Sequence, residues 1–101
     1  MKLIRNRIPL LVAEKGEVLR TRAVTGREEF KTLITAKLLE EAREFTESPS
    51  LEELADVMEV VKACCAAYGW KPYDLLRARA IKQEDKGDFS AGVVLLEDGE
   101  T

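Results

Sequence analysis

The strongest constraint on the fold is a single sharp break between two long segments of helical character. The break is the stretch TESPS, residues 46–50, and the segments on either side of it lack proline and glycine. Ser48 or Ser50 can cap the helix that follows, and Ser50 with Glu53 matches a capping box. Because the connection is so short, the two helices must fold back on each other. We therefore predict an antiparallel hairpin of one helix from Thr25 or Gly26 to about residue 47 and another up to Tyr68.

The flanking segments predict smaller elements. Residues 4–15 are expected to form a short helix that has Pro9 near its beginning and stops at Gly16. Residues 17–24 read as an extended segment, and a third long helix is expected from near Pro72 until Gly87. The apolar run FSAGVVLL, residues 89–96, is expected to be a short strand or a packed tail. The predicted fold is thus mainly α, an antiparallel helical bundle with short extended segments near the termini, in a single domain spanning residues 1–101.

Composition argues against several classes of partner. Hydrophobic residues make up 46% and charged residues 35% of the chain, and the formal net charge is −3. A net negative charge provides no overall attraction to nucleic acid or to an anionic membrane, so neither is expected as a partner. The chain also has no apolar run of about 18 residues, and the start MKLIRNRIPLL is interrupted by charges too soon for a signal peptide. We interpret the protein as cytoplasmic.

The available side chains limit the chemistry. The sequence contains no histidine, which excludes histidine-dependent zinc sites and catalytic triads. Cys64 and Cys65 are adjacent within an apolar helical segment, where buried core thiols are the favoured interpretation. Metal or acid–base chemistry must then use carboxylates, which prefer hard cations such as Mg²⁺ or Mn²⁺.

Two carboxylates of the first long helix lie on its apolar side. At about 100° per residue, Glu41 and Glu44 fall within about 40° of Phe30 around the helix axis. Glu40 lies at the edge of the same face. The other members of this face are Leu33, Ile34 and Phe45. A buried ionised carboxylate needs a cation or basic groups nearby, so this placement suggests a binding site.

The second helix repeats the pattern. Glu53 falls inside its apolar arc and Asp56 at the margin, whereas Glu52 and Glu59 point to the opposite side. In a hairpin that turns near Pro49, the two acid pairs lie at similar heights along the helices. Their mutual repulsion would be relieved by bound Mg²⁺. The alternative is that these acids merely cap the helices and keep their surface soluble.

The motifs resemble a known family, the all-α nucleoside triphosphate pyrophosphatases of the MazG-like type. The family's E-E-x-x-E and E-x-x-D motifs match Glu40-Glu41-Ala42-Arg43-Glu44 and Glu53-Leu54-Ala55-Asp56, with a spacer of eight residues. The start KLIRNRIP is similar to the KLVRDKIP start of a subgroup of predicted house-cleaning pyrophosphatases that act on non-canonical nucleotides, with Asn6 in place of the usual Asp. The ending IKQEDKGDFSAGVVLLE is also similar to that subgroup. The resemblance therefore covers nearly the whole chain.

The resemblance implies Mg²⁺-dependent hydrolysis of a nucleoside triphosphate to the monophosphate and pyrophosphate. It implies that Glu41, Glu44, Glu53 and Asp56 are metal ligands. Glu40 could orient or deprotonate the attacking water, or it could belong to the surroundings of the site. Family members complete their bundle from two or more chains, and a homodimer or higher homo-oligomer is accordingly expected here.

A triphosphate also needs cations from the protein. Lys37 is the strongest candidate because it lies one helical turn from Glu41, although it could equally serve as a structural counter-ion. The further candidates are Arg5, Arg7, Lys82 and Lys86. Aromatic side chains that could stack on a base are Tyr68, Trp70 and Phe89.

Two rival functions remain open at the level of sequence. One is the related phosphoribosyl-ATP pyrophosphohydrolase activity, which would use the same carboxylates. The other is a non-catalytic dimeric helical interaction module, which would need no divalent metal for its stability.

Overall fold

Four helices and no strands make up the regular secondary structure. The structure is a computed structural model that describes residues 1–101. The helices are α1 (Ile8–Glu14), α2 (Arg27–Glu47), α3 (Leu51–Tyr68) and α4 (Pro72–Lys86). The prediction of a mainly α fold is confirmed. None of the helices is both long enough and apolar enough to cross a lipid bilayer.

The ends of α3 show why the hairpin begins and ends where it does. The Ser50 hydroxyl accepts a hydrogen bond from the Glu53 backbone N–H at 3.1 Å, which makes Ser50 the N-cap. At the other end Gly69 has a φ of 76°, and the Trp70 N–H donates to the Cys65 carbonyl at 2.9 Å. This left-handed glycine cap closes the helix. Both boundaries agree with the sequence prediction.

The hairpin of α2 and α3 is antiparallel. The guanidinium Nε of Arg27, at the start of α2, donates to the carbonyl of Ala67, near the end of α3, at 3.3 Å. Between the helices, Ile34 packs with Val60 and Ala67 in a small buried cluster, against which Leu3 and Phe30 also pack. The N-terminal segment thus contributes to the core of the hairpin.

The segment before α2 departs in part from its prediction. Helix α1 spans residues 8–14, shorter than the predicted 4–15, with Pro9 in its first turn and Gly16 just beyond its end at a φ of 87°. Residues 17–24 form neither a helix nor a strand. Because a strand needs a partner for its backbone groups and no other strand exists, this segment has no regular hydrogen-bond pattern.

The chain divides into two units, residues 1–71 and residues 72–101. The first contains α1, α2 and α3. The second contains α4 and the C-terminal segment, and it has no buried residue. The prediction of a single domain over residues 1–101 stays a prediction.

The structure of the C-terminal segment differs from the sequence prediction. Residues 89–96 form no strand, and Phe89 is 98% exposed, so the expected strand or packed tail is wrong for the single chain. Local order is limited to a turn in which the Asp88 carboxylate accepts hydrogen bonds from the Ser90 backbone N–H and hydroxyl, at 2.9 and 2.6 Å. Apolar composition alone could not produce a strand, because the second unit offers no edge to pair with.

Candidate metal centre

The acidic residues of the hairpin separate into a covered set and an exposed set. Glu41 is 7% exposed and is the chain's buried charged residue. Four other carboxylates, those of Glu40, Glu44, Glu53 and Asp56, are partly buried. By contrast, Glu52 and Glu59 are exposed. The tertiary structure therefore covers the carboxylates that the helical periodicity places on the apolar faces.

The covered carboxylates converge in space. Glu41 of α2 lies with Glu53 and Asp56 of α3 in a group whose ligand oxygens are all within 4.8 Å of one another. A second group with the same spacing joins Glu41 to Glu40 and Glu44. Because Glu41 belongs to both groups, its side chain is the centre of the cluster.

Two of these oxygens are buried without a partner. Glu41 Oε2 and Glu53 Oε2 are shielded from solvent and accept no hydrogen bond. A desolvated carboxylate oxygen is costly unless a donor or a cation compensates it. The two atoms come from α2 and α3, respectively, and both belong to the cluster, so a cation between the helices would satisfy them together.

The crowding of carboxylates in the cluster affects the pKa of one of its members. The neighbouring Glu41 carboxylate raises the pKa of Glu44 above its usual range, and Glu53 and Glu40 act in the same direction. Like charges placed close together favour the protonated form. Glu44 is therefore held in a position where a bound cation would favour its ionisation.

Lys37 is the cation most closely associated with Glu41. Its Nζ lies 3.3 Å from Glu41 Oε1 and 3.2 Å from Glu40 Oε2. The lysine side chain is largely covered, so these pairs are less screened than pairs at the surface. Lys37 was predicted either to bind substrate or to balance the acids. It lies next to both carboxylates, and both roles stay predictions.

The N-terminal segment adds two more cations. Arg5 Nη2 lies 2.7 Å from Asp56 Oδ1, and Lys2 Nζ lies 3.0 Å from Glu40 Oε1. The hydrogen bond from Lys2, together with the nearby Lys37, lowers the pKa of Glu40. Arg5 was a predicted substrate-binding residue, whereas Lys2 was missed. Only its place in the KLIRNRIP motif, next to the two arginines, could have singled it out.

The other predicted basic residues are exposed. Arg7 is exposed and forms the N-cap of α1, without a side-chain cap bond. Lys82 and Lys86 are exposed residues of α4, in the second unit. Arg7 makes no ion pair with the carboxylates of the cluster.

The candidate stacking residues form a separate feature. The rings of Tyr68 and Trp70 stack with centroids 5.0 Å apart, and Lys31 Nζ lies 5.1 Å from the centre of the Tyr68 ring. Tyr68, at the C-terminal end of α3, therefore contacts both Trp70 and Lys31. The third candidate, Phe89, is exposed in the second unit.

The charges of the cluster suit a divalent cation. Five carboxylates face only three basic side chains, Lys2, Arg5 and Lys37. Two formal negative charges therefore remain when all the acids are ionised. All candidate ligands are hard carboxylate oxygens, which is the donor set that Mg²⁺ and Mn²⁺ prefer.

Comparison of the chain with family models, with curated proteins and with solved structures found no match.

Proposed function

We propose that the protein is a Mg²⁺-dependent nucleoside triphosphate pyrophosphohydrolase, which releases a nucleoside monophosphate and pyrophosphate. The observation that carries this proposal is the pair of buried, unpartnered oxygens, Glu41 Oε2 and Glu53 Oε2, within a group of converging carboxylates. The resemblance of the two acidic motifs to the MazG-like family supports the choice of reaction. Non-canonical nucleotides are the substrate class that the N-terminal motif favours.

Glu41, Glu44, Glu53 and Asp56 would hold the metal. Their oxygens are anionic and close together, and two of them lack any other partner. When bound, Mg²⁺ would contact phosphate oxygens, assist ionisation of a water and neutralise charge on the leaving pyrophosphate. Mn²⁺ would suit the same ligands.

Glu40 would act on the attacking water. Its ion pairs with Lys2 and Lys37 lower its pKa and keep the carboxylate ionised, so it can accept a hydrogen bond from water and orient it. Attack by this water breaks the bond between the α- and β-phosphates. The oxygen of the water remains on one product, and its proton passes to a carboxylate of the cluster or to solvent.

The basic residues near the cluster would bind the triphosphate. Lys37, Lys2 and Arg5 each already lie within 3.3 Å of a carboxylate oxygen. An incoming polyphosphate is negatively charged, as those carboxylates are. It can therefore pair with the same basic side chains once the metal neutralises the acids. Lys37 and Arg5 would contact phosphate oxygens in this way.

The proposal includes assembly into a homodimer or a higher homo-oligomer. The buried core of one chain is small, while α3 exposes Leu51, Leu54 and Met58. Exposed apolar side chains grouped on one helix are typical of surfaces that associate. A second chain covering α3 would increase the buried apolar area and the stability of the hairpin.

The test is an assay of pyrophosphate release from canonical and modified nucleoside triphosphates, with Mg²⁺ or with EDTA. We expect metal-dependent release that Glu53→Gln abolishes and that the matched variant Glu59→Gln retains, because Glu59 lies exposed on the same helix. Including phosphoribosyl-ATP in the panel distinguishes the related activity.

Absence of release from every substrate would reject the enzymatic proposal. If Mg²⁺ also failed to change the melting temperature, the non-catalytic interaction module would be the better description. Analytical ultracentrifugation of the same protein determines whether it is an oligomer.

A further inference from the structure

A cavity of about 520 Å³ lies beside the acidic cluster, within the first unit. Its walls come from the N-terminal segment, residues 19–24 and the first turns of α2. The larger apolar lining side chains include those of Leu3, Ile4, Leu19, Val24, Phe30 and Leu33. This volume falls within the range of about 300–1,000 Å³ that is typical of small-molecule sites.

Lys2 connects this cavity to the carboxylates. It lines the cavity, and its Nζ lies 3.0 Å from Glu40 Oε1. Three residues further along the chain, Arg5 contacts Asp56, while the next residue, Asn6, lines the cavity again. The N-terminal segment is thus the shared wall between the cavity and the cluster. A ligand in the cavity could extend past Lys2 to the carboxylates.

The charged residues of the lining indicate the charge of the ligand that the cavity would favour. Three basic residues, Lys2, Arg20 and Arg22, line the cavity, and no acidic residue does. Lys2 and Arg22 are paired with Glu40 and Glu29, respectively, whereas Arg20 makes no ion pair. In a chain with a net charge of −3, a cavity whose charged lining residues are all basic favours an anionic ligand.

Two uncharged polar groups complete the lining. The Asn6 amide can both donate and accept hydrogen bonds, and Thr21 offers a hydroxyl. Within the chain the Asn6 side chain makes no hydrogen bond. Apolar walls suit a flat ring, an amide suits its polar edge, and a basic rim suits a phosphate.

We infer that this cavity binds the nucleoside portion of a nucleoside phosphate, with the base among Leu19, Val24, Phe30 and Leu33 and the phosphates directed past Lys2 towards the carboxylates. This assignment deepens the proposed function and rests on it for the identity of the ligand. Asn6 is then the residue that contacts the base edge, and Arg20 the residue whose guanidinium is free to contact a phosphate or the sugar.

The first test measures binding without catalysis. Nucleoside monophosphates are added in EDTA to protein with ¹³C-labelled methyl groups, and the methyl shifts are followed by NMR. We expect saturable shifts at Leu19, Val24 and Leu33, and none at Leu51, which lies outside the cavity and is largely exposed. Shifts confined to residues outside the cavity, or no shifts at saturation, would overturn the assignment.

The second test fills the cavity. Thr21→Trp places a large side chain on its wall, and Val18→Trp, at a position that is 90% exposed and outside the lining, is the matched control. We expect Thr21→Trp to raise KM by about tenfold or more with kcat little changed, because it removes binding that substrate and transition state share. The control should behave as wild type, and equal melting temperatures of the two variants show that both fold.

The two proposals can fail separately. Hydrolysis without methyl shifts in the cavity, or hydrolysis that Thr21→Trp leaves unchanged, would overturn the cavity assignment and leave the enzymatic proposal intact. Shifts in the cavity without hydrolysis would overturn the enzymatic proposal and leave a site for nucleoside monophosphates. If neither hydrolysis nor shifts occur, both are wrong.

Discussion

Arg5 Nη2 lies 2.7 Å from Asp56 Oδ1, so a residue of the N-terminal segment pairs with a carboxylate of α3 that lies 51 positions further along the chain. Lys2 makes the corresponding contact with Glu40 of α2. The N-terminal segment therefore contacts both helices of the hairpin at the acidic cluster. Its cations occupy positions from which they can balance the acids or bind phosphate.

Arg5→Ala is expected to separate these roles. Both partners of the pair are partly exposed, so the free energy of unfolding should change by less than about 1 kcal/mol. Removing a cation next to Asp56 should tighten Mg²⁺ binding at low salt and weaken binding of the triphosphate. Calorimetric titration measures both affinities. Arg7→Ala is the control, and an Arg5→Ala protein with unaltered affinities for both ligands would contradict a role at the site.

Glu53→Gln should stabilise the metal-free protein. Glu53 Oε2 is buried without a partner, and a neutral amide can donate a hydrogen bond to a neighbouring carboxylate where the acid repels it. In EDTA we expect the free energy of unfolding to rise by about 1 kcal/mol, and the increase in melting temperature on adding Mg²⁺ to disappear. Thermal melts with and without Mg²⁺ test this, with Glu59→Gln as the control. A variant that is less stable than wild type in EDTA would show that the ionised Glu53 carboxylate stabilises the fold.

The raised pKa of Glu44 gives a pH dependence of defined sign. The neighbouring Glu41 makes the folded protein hold the Glu44 proton more tightly than the unfolded chain does. The stabilisation from protonation is complete below the unfolded pKa of about 4.3 and is lost as pH rises through the raised folded value. The melting temperature of the metal-free protein should therefore fall as pH rises from the unfolded pKa through the folded pKa of Glu44. The affinity for Mg²⁺ should rise over the same pH range.

Glu44→Gln removes this titration. Its melting temperature in EDTA should fall less across the same pH window, and proton release on Mg²⁺ binding, measured in buffers of different ionisation enthalpy, should decrease. A variant with the pH profile of wild type would mean that another group is responsible.

Gly69→Ala should destabilise the hairpin. Gly69 has a φ of 76°, and a Cβ at this position would lie 2.9 Å from Arg27 Nη2. A left-handed conformation costs a residue with a Cβ about 1–2 kcal/mol, and the Arg27 side chain must also move. Urea denaturation should show a loss of this size. Gly26→Ala is the control because a Cβ added there would meet no atom within 4 Å and the φ of 170° is ordinary extended backbone.

The pair of Arg22 and Glu29 should make the wall of the cavity sensitive to acid. Arg22, helped by the Thr25 backbone N–H, lowers the pKa of Glu29 to about 2. For a depressed carboxyl pKa, the stabilisation is present above the unfolded pKa of about 4.3 and is lost as pH falls towards about 2. Methyl signals of Val24 and Leu19 should report this loss. The same titration should be absent in Glu29→Gln, and its persistence there would assign it to a different acid.

Much of the hairpin was predictable from local signals. The Ser50 cap and the Gly69 stop each act within a few residues of the chain, so their positions could be read from the sequence. Helical periodicity likewise distinguished Glu53 from Glu59, because the azimuth of a side chain depends only on its position in the helix. Burial followed the same division, with Glu53 partly covered and Glu59 exposed.

Features that depend on distant contacts were not predictable. The apolar run of residues 89–96 suggested a strand, yet strand formation requires a partner edge that the second unit lacks. The pairing of Lys2 with Glu40 joins residues 38 positions apart, and no periodicity relates them. The cavity was not predicted either, because its walls come from three separate segments of the chain.

The sequence by itself thus determined the three long helices α2, α3 and α4, their boundaries and the side of the hairpin helices on which the acids lie, since these depend on backbone propensity, capping and periodicity. Tertiary structure alone decided that Glu41 belongs to two acid groups at once, that Arg5 and Lys2 pair with the cluster, and that a cavity opens beside it. Those outcomes depend on how helices and segments approach one another in three dimensions. Packing of the whole unit sets that approach, and no local pattern in the chain encodes it.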